Sequence, residues 1–229
     1  MNTENKYLSI TKVSRMAGLL GLIVLTCGSL THSINSEIIN LNNEIATANN
    51  FSTLGLKYRI GFVCGLVMET VFIFYAFILF YILRITNKLA AILLLILALV
   101  PAPLFYANQL NHFASFLISQ QSTSQMMFYL ELHKHGGYII SIFFGLWLFP
   151  LGYLVYKSSF LPKFLGVFLM IGCFGYIANF IQGFVFPNFK STLWTNPFLV
   201  ITHISEILFM LWLLIMGVNK TKYFKQVES

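Results

Sequence analysis

Residues 60–83 read IGFVCGLVMETVFIFYAFILFYIL, an apolar run broken by one glutamate, Glu69. Spanning the hydrocarbon of a bilayer takes about 20 mostly apolar residues, and this run is long enough. Inside lipid every backbone donor and acceptor must be satisfied internally, so an uninterrupted run of this kind is a helix. Five other stretches have the same character. The six expected spans cover 16–35, 60–83, 89–112, 136–156, 164–187 and 197–218.

Composition agrees with that reading. The 229 residues are 58% hydrophobic and only 9% charged, whereas soluble domains carry about 25% charged residues. The chain holds 24 Phe, 11 Tyr and 3 Trp, more large apolar surface than a polar shell could cover in water. The fold class is therefore all-α: a polytopic membrane protein built as a six-helix bundle. Residues 1–15 form an N-terminal segment, 16–218 the membrane domain and 219–229 a C-terminal tail. The basic start followed by apolar residues from Met16 to Leu30 resembles a signal peptide. No small-residue cleavage pattern follows closely, so it reads as an uncleaved first span.

Lys and Arg give the orientation. With the N-terminus inside, Lys6, Lys12, Arg15, Arg84, Lys88, Lys157, Lys163, Lys220, Lys222 and Lys225 fall on the inner side. Lys57, Arg59, Lys134 and Lys190 fall outside, a bias of ten to four. Both termini are expected in the cytoplasm and the chain in the plasma (inner) membrane. The net charge of +7 is spread singly between apolar runs, unlike the clustered footprint of a nucleic-acid binder, so no nucleic acid is expected as a partner. Cys27, Cys64 and Cys173 lie in apolar runs without CxxC spacing and read as packing residues. The connection from Ser36 to Tyr58 has room for an interfacial helix, Ser119 to Phe128 reads as a loop, and Trp194 in the 188–196 connection reads as an interface anchor.

The chain has seven acidic residues, none of them Asp, and only Glu69 and Glu206 lie within spans. An ionisable group at membrane depth is a functional-site hypothesis by default. At about 1.5 Å per residue both lie about 13 Å below the outer ends of their helices, with Asn179 at similar depth in the fifth span. His203 is shallower, and His32, Asn108, Asn111 and His112 lie near outer ends. Glu131, His133 and His135 are expected just before the fourth span. Gly61, Gly65 and Glu69 recur at four-residue steps, as do His133, Gly137, Ser141 and Gly145. Gly28 and His32 share a face, as do Thr202, Glu206 and Met210. Gly172, Gly175, Asn179 and Gly183 form another stripe. Small residues mark close helix contacts in membranes, so the polar groups are expected to face an outward-opening pocket inside the bundle. Its expected lining is Glu69, Glu206, Asn179, His203 and His133, with Asn108 and His32 at the rim. Pro101 and Pro103 interrupt the third span; the choice there is between a kink and a broken helix that lines a site.

The segments Phe144-Gly145-Leu146, Gly152-Tyr153-Leu154-Val155-Tyr156-Lys157-Ser158, Leu161-Pro162-Lys163-Phe164-Leu165-Gly166 and Gly175-Tyr176 resemble a bacterial family of six-helix membrane proteins, domain of unknown function 4386. The resemblance runs from about Met16 to Val218. It implies a His at His133 and acidic residues at Glu69 and Glu206. This chain has Asn179 where the family often has Asp, and Trp147 where it often has His. The resemblance implies fold and topology but supplies no activity, and cofactors are unknown.

Three functions remain open from sequence. The first is binding or moving a small solute or proton: apolar surroundings favour the neutral form of a carboxyl group, and two such groups at matched depth suit a relay or a cation site. The second is a metal-dependent membrane enzyme drawing zinc ligands from His133, His135, His203, Glu69 and Glu206, although no HExxH spacing occurs; no metal ligand set is assigned. The third is purely structural, with the polar groups joining helices. A haem carrier using His32, His112 and His203 lacks a suitable pair on any helix. The preferred reading is the first, without bond-making chemistry. The expected partners are the lipid bilayer and a small-molecule ligand or proton.

Overall fold

The computed structural model describes residues 3–186 and 197–228, and over these the chain is an all-α bundle. In chain order the helices are α1 (Thr3–Ile38), α2 (Glu44–Thr53), α3 (Gly55–Leu83), α4 (Lys88–Leu99) and α5 (Pro101–Ile118). There follow α6 (Thr123–Lys157), α7 (Lys163–Val185), α8 (Pro197–Ile215) and α9 (Lys220–Glu228). Six stretches are long and apolar enough to cross a membrane: Ile10–Ile38, Gly55–Leu83, Lys88–Ile118, Thr123–Lys157, Lys163–Val185 and Phe198–Ile215. The chain is an integral, multi-pass membrane protein. Its outer faces fit that solvent: Phe74 and Phe77 on α3, Leu93 and Ile96 on α4, and Phe164 and Phe174 on α7 are all exposed. In water such faces would be an aggregation liability.

The starts of the helices follow from local chemistry. Asn43, Asn87 and Ser122 each sit in extended backbone, and their side chains accept a hydrogen bond from the amides of Ala46, Ala90 and Gln125. Each cap satisfies one of the four orphan amides of a helix start. The interfacial helix expected between the first two spans is α2, and Thr47, Ala48 and Phe51 form its buried face. Val100, between α4 and α5, keeps right-handed helical dihedrals, and its amide bonds to the Ile96 carbonyl at 2.9 Å. The right-handed backbone thus runs on through Val100, and Pro101 marks the junction at which α4 gives way to α5 within one span, Lys88–Ile118. Pro150 lies inside α6.

Two expectations about boundaries are corrected. The helix of the fourth span starts at Thr123, not near 136, so the loop expected at 119–128 shrinks to four residues, and Glu131, His133 and His135 belong to α6. Ser122 caps this start and neither Gly nor Pro interrupts 123–135, so polarity ends the hydropathy signal there but not the helix. The second span begins at Gly55, not 60, which puts Glu69 about 21 Å from that end, at the midpoint of α3. The tail is also folded. In α9 Tyr223 and Phe224 are buried, Tyr223 meets the Phe160 ring edge-on at 5.0 Å, and the Asn219 amide donates to the Phe160 carbonyl at 3.0 Å. The connection at 188–196, with Lys190 and Trp194, lies outside the described residues.

Close helix contacts fix the bundle. At the end bearing the termini, Gly18 of α1 lies against the backbone of Leu214 on α8, and Gly21 against Met210. Thr31 Oγ1 donates to the Gly61 carbonyl at 2.9 Å, tying α1 to α3. Gly152 and Gly166 bring α6 and α7 together backbone to backbone. Gly172 and Gly175 receive Thr202 and Ser205 of α8, and Thr202 Oγ1 donates to the Gly172 carbonyl at 2.7 Å. One expected contact shifts register. On α6 it is Gly136 that meets Asn108, while Gly137 has open space beside it. A helix turns about 100° per residue, so this one-position difference moves the glycine that meets Asn108 by a little over a quarter turn.

Candidate functional site

A cavity of about 410 Å³ lies in the middle of the bundle, between α1, α3, α6, α7 and α8. It begins just beyond the contacts that tie α1 to α8, with Met210 in its wall. From α1 it receives Gly28, Ser29 and His32; from α3, Met68, Glu69 and Phe72. α6 contributes Phe144 and Trp147, α7 contributes Tyr176, and α8 contributes His203 and Glu206. Ser29 and His32 are exposed, so the cavity reaches the surface of the bundle on the side away from the termini.

The two glutamates share this cavity but differ in their surroundings. Glu69 is 0% exposed, and among the described residues neither of its carboxyl oxygens has a hydrogen-bond partner. Glu206 is partly buried and accepts from the Tyr176 hydroxyl at 3.3 Å. His203 Nδ1 lies 2.7 Å from the Leu199 carbonyl. A carbonyl only accepts, so Nδ1 carries the proton and, in the neutral ring, Nε2 is the acceptor. The Trp147 indole N–H is buried and also lacks a partner among the described residues. Buried polar groups are normally paired, so an unpaired carboxyl and an unpaired N–H in one cavity wall call for an explanation.

Aromatic rings make much of the rest of the wall, beside Val24, Leu25, Met68 and Met210. Trp147 meets Phe72 edge-on with centroids 4.9 Å apart, Phe72 meets Phe144 at 5.4 Å, Phe144 meets Tyr176 at 6.3 Å, and Tyr176 meets His203 at 6.1 Å. This continuous belt crosses four helices.

The structure divides the expected pocket in two. Glu69, Glu206, His203 and His32 line the cavity, whereas Asn108 and His133 lie in a separate polar clamp between α5 and α6. There the Asn108 amide donates to the His133 carbonyl at 2.8 Å, and His133 Nδ1 donates to the Asn108 carbonyl at 3.1 Å. The His133 ring stacks on His112 with centroids 4.3 Å apart. Tyr58 and Ser115 hydroxyls both donate to the His112 carbonyl. Asn179 is half-buried on α7 and does not line the cavity. Among the described residues no three His, Cys, Asp or Glu side chains are grouped as metal ligands. His135 contacts the half-buried Glu131 at 3.6 Å, away from the cavity.

The clamp has a measurable consequence. Asn108→Ala removes the donor to His133 while leaving Glu69 untouched. The expected loss is about 1 kcal/mol of unfolding free energy, the usual net worth of one hydrogen bond, with the ligand properties of the cavity unchanged. Unfolding of the purified chain in detergent would measure it; unchanged stability would remove the structural role.

The sequence reading did not single out Phe72, Phe144, Tyr176 or Met68 as lining residues. The signals for them are weak: Phe72 lies three residues after Glu69 on one helix, Met68 is its neighbour, and Phe144 and Tyr176 stand next to Gly145 and Gly175 in the segments that carry the family resemblance. His112 and Trp147 stand out in the sequence, but their neighbours, His133 and Phe72, follow only from packing.

The sequence profile of a family described as "Domain of unknown function (DUF4386)" matches residues 16–217. Part of the chain is similar to an uncharacterized protein of Archaeoglobus fulgidus, 40% identical over 76 residues; that is 33% of this chain and 43% of the relative. The chain thus spans less than half the length of that relative. No solved structure matches the chain.

Proposed function

The chain belongs to the DUF4386 family, and from that premise we propose that it binds or moves a small solute or a proton through the cavity held by Glu69 and Glu206. The observation that carries this reading is Glu69: fully buried, without a partner among the described residues, in the wall of a cavity that reaches the surface of the bundle. Ionisable groups within a membrane concentrate on substrate and ion pathways. A carboxyl group serving only to join helices would be expected to bond a neighbouring helix, as Asn108 does. The volume falls within the range of small-molecule sites, which are mostly apolar with a few converging polar groups.

The chain sits in the plasma membrane with both termini in the cytoplasm, by the excess of Lys and Arg at the end bearing the termini. The cavity then opens outward at Ser29 and His32. Cysteine labelling tests both statements. In a background lacking Cys27, Cys64 and Cys173, Ser29→Cys reacts in intact cells with a membrane-impermeant maleimide. Ser159→Cys, in the connection between α6 and α7, reacts only after permeabilisation. The reverse pattern would overturn the orientation, and an inert Ser29→Cys would overturn the outward opening.

A further inference from the structure

We propose that the cavity takes an organic ammonium ion, whose charge lies against Glu69 and Glu206 and whose apolar body rests on the aromatic belt. This rests on the cavity being the solute site and adds the ligand's chemical class.

Four features of the wall select it. Among the described residues no Lys or Arg lines the cavity: the ionisable groups there are two carboxyls, two imidazoles and the Tyr176 phenol, and an anion meets no fixed positive charge from them. Glu69 is an acceptor with both oxygens unpartnered among the described residues, and a neutral apolar ligand would leave it so. An ammonium ion compensates the charge and, where it carries N–H, supplies the missing donor. The belt from Trp147 through Phe72, Phe144 and Tyr176 lines the cavity with aromatic rings, and such rings attract cations within about 6 Å and recognise alkylated ammonium groups in particular. Finally, calcium takes 6–8 oxygen ligands and magnesium about six at near-octahedral geometry. Beyond the carboxyls, the described residues of this wall offer only the Ser29 and Tyr176 hydroxyls among side-chain oxygens, and the rest is ring, thioether and aliphatic surface. An organic cation needs no such shell and uses the apolar surface.

The test is calorimetric titration of the full chain in detergent with benzyltrimethylammonium, and with benzyl alcohol as an uncharged aromatic control. The cation should bind about tenfold or more tighter than the alcohol. Glu69→Gln and Glu206→Gln should each weaken the cation about tenfold and leave the alcohol unchanged. Gly28→Leu should weaken both ligands: a Cβ there would lie 3.0 Å from the Met68 sulfur, the end of a flexible side chain, so the added group projects into the cavity without prising helices apart. Equal binding of the two ligands, insensitive to both Gln changes but lost in Gly28→Leu, would overturn the ammonium class and leave the cavity as the solute site. Binding that survives Gly28→Leu would overturn both. Failure of the cation to bind at about 1 mM, an affinity already weak for a dedicated site, would overturn the class.

Discussion

A Gly166→Leu chain is expected to unfold about 3 kcal/mol more easily than the native chain, the upper end of the usual range for overpacking. A Cβ at Gly166 would lie 2.5 Å from the Tyr156 amide nitrogen and 2.6 Å from the Gly152 carbonyl oxygen. Both are backbone atoms of α6, so no rotamer change relieves the clash and α6 and α7 must move apart. Lipid gives little hydrophobic reward for helix association, so the pair depends on van der Waals contact. A gap of even 0.5–1 Å forfeits about a quarter to a half of each contact along it. Gly137→Ala is the control. That position has open space, and replacing a helical Gly by Ala should be neutral or stabilise by up to about 1 kcal/mol. Unfolding in detergent, followed by helical circular dichroism, compares the two. A Gly166→Leu chain as stable as Gly137→Ala would mean that α6 and α7 do not cross this closely.

The same glycines show how far the sequence could be read. Apolar runs gave the six spans and the all-α class, because bilayer thickness sets a length that hydropathy alone can match. Boundaries were less legible. Hydropathy stops at the first polar residues, but the hydrogen-bond ladder of α6 runs on through Glu131, His133 and His135 to the cap at Ser122. Which glycine is a contact depends on register to a single residue, which explains why Gly136 and not Gly137 meets Asn108. Glu69, Glu206, His32 and His203 could be proposed because polar groups stand out in apolar text. Their separation from Asn108 and His133 could not, since that clamp consists of side chain-to-backbone bonds fixed only by how α5 meets α6. The aromatic belt was hidden for the opposite reason: with 24 Phe in the chain, no single ring stands out until packing selects it.

Glu69→Leu separates a functional carboxyl from a structural one, because the two roles predict opposite signs for stability. A buried polar group without a partner carries its full desolvation penalty, about 1–3 kcal/mol, in the folded state only. Leucine has similar bulk and belongs among Met68, Phe72 and Trp147. The variant should therefore gain about 1–3 kcal/mol in unfolding free energy while losing benzyltrimethylammonium binding, the trade that active and binding sites commonly make. Glu206→Leu should gain less or lose, because it removes the acceptor of the Tyr176 hydroxyl and leaves that hydroxyl to find another. Asn108→Ala, at a satisfied clamp, should lose. Denaturant titration of the three variants in one detergent orders them. If Glu69→Leu falls with Asn108→Ala instead of rising above the native chain, Glu69 is holding helices together, and the cavity has no unmet carboxyl for a ligand to satisfy.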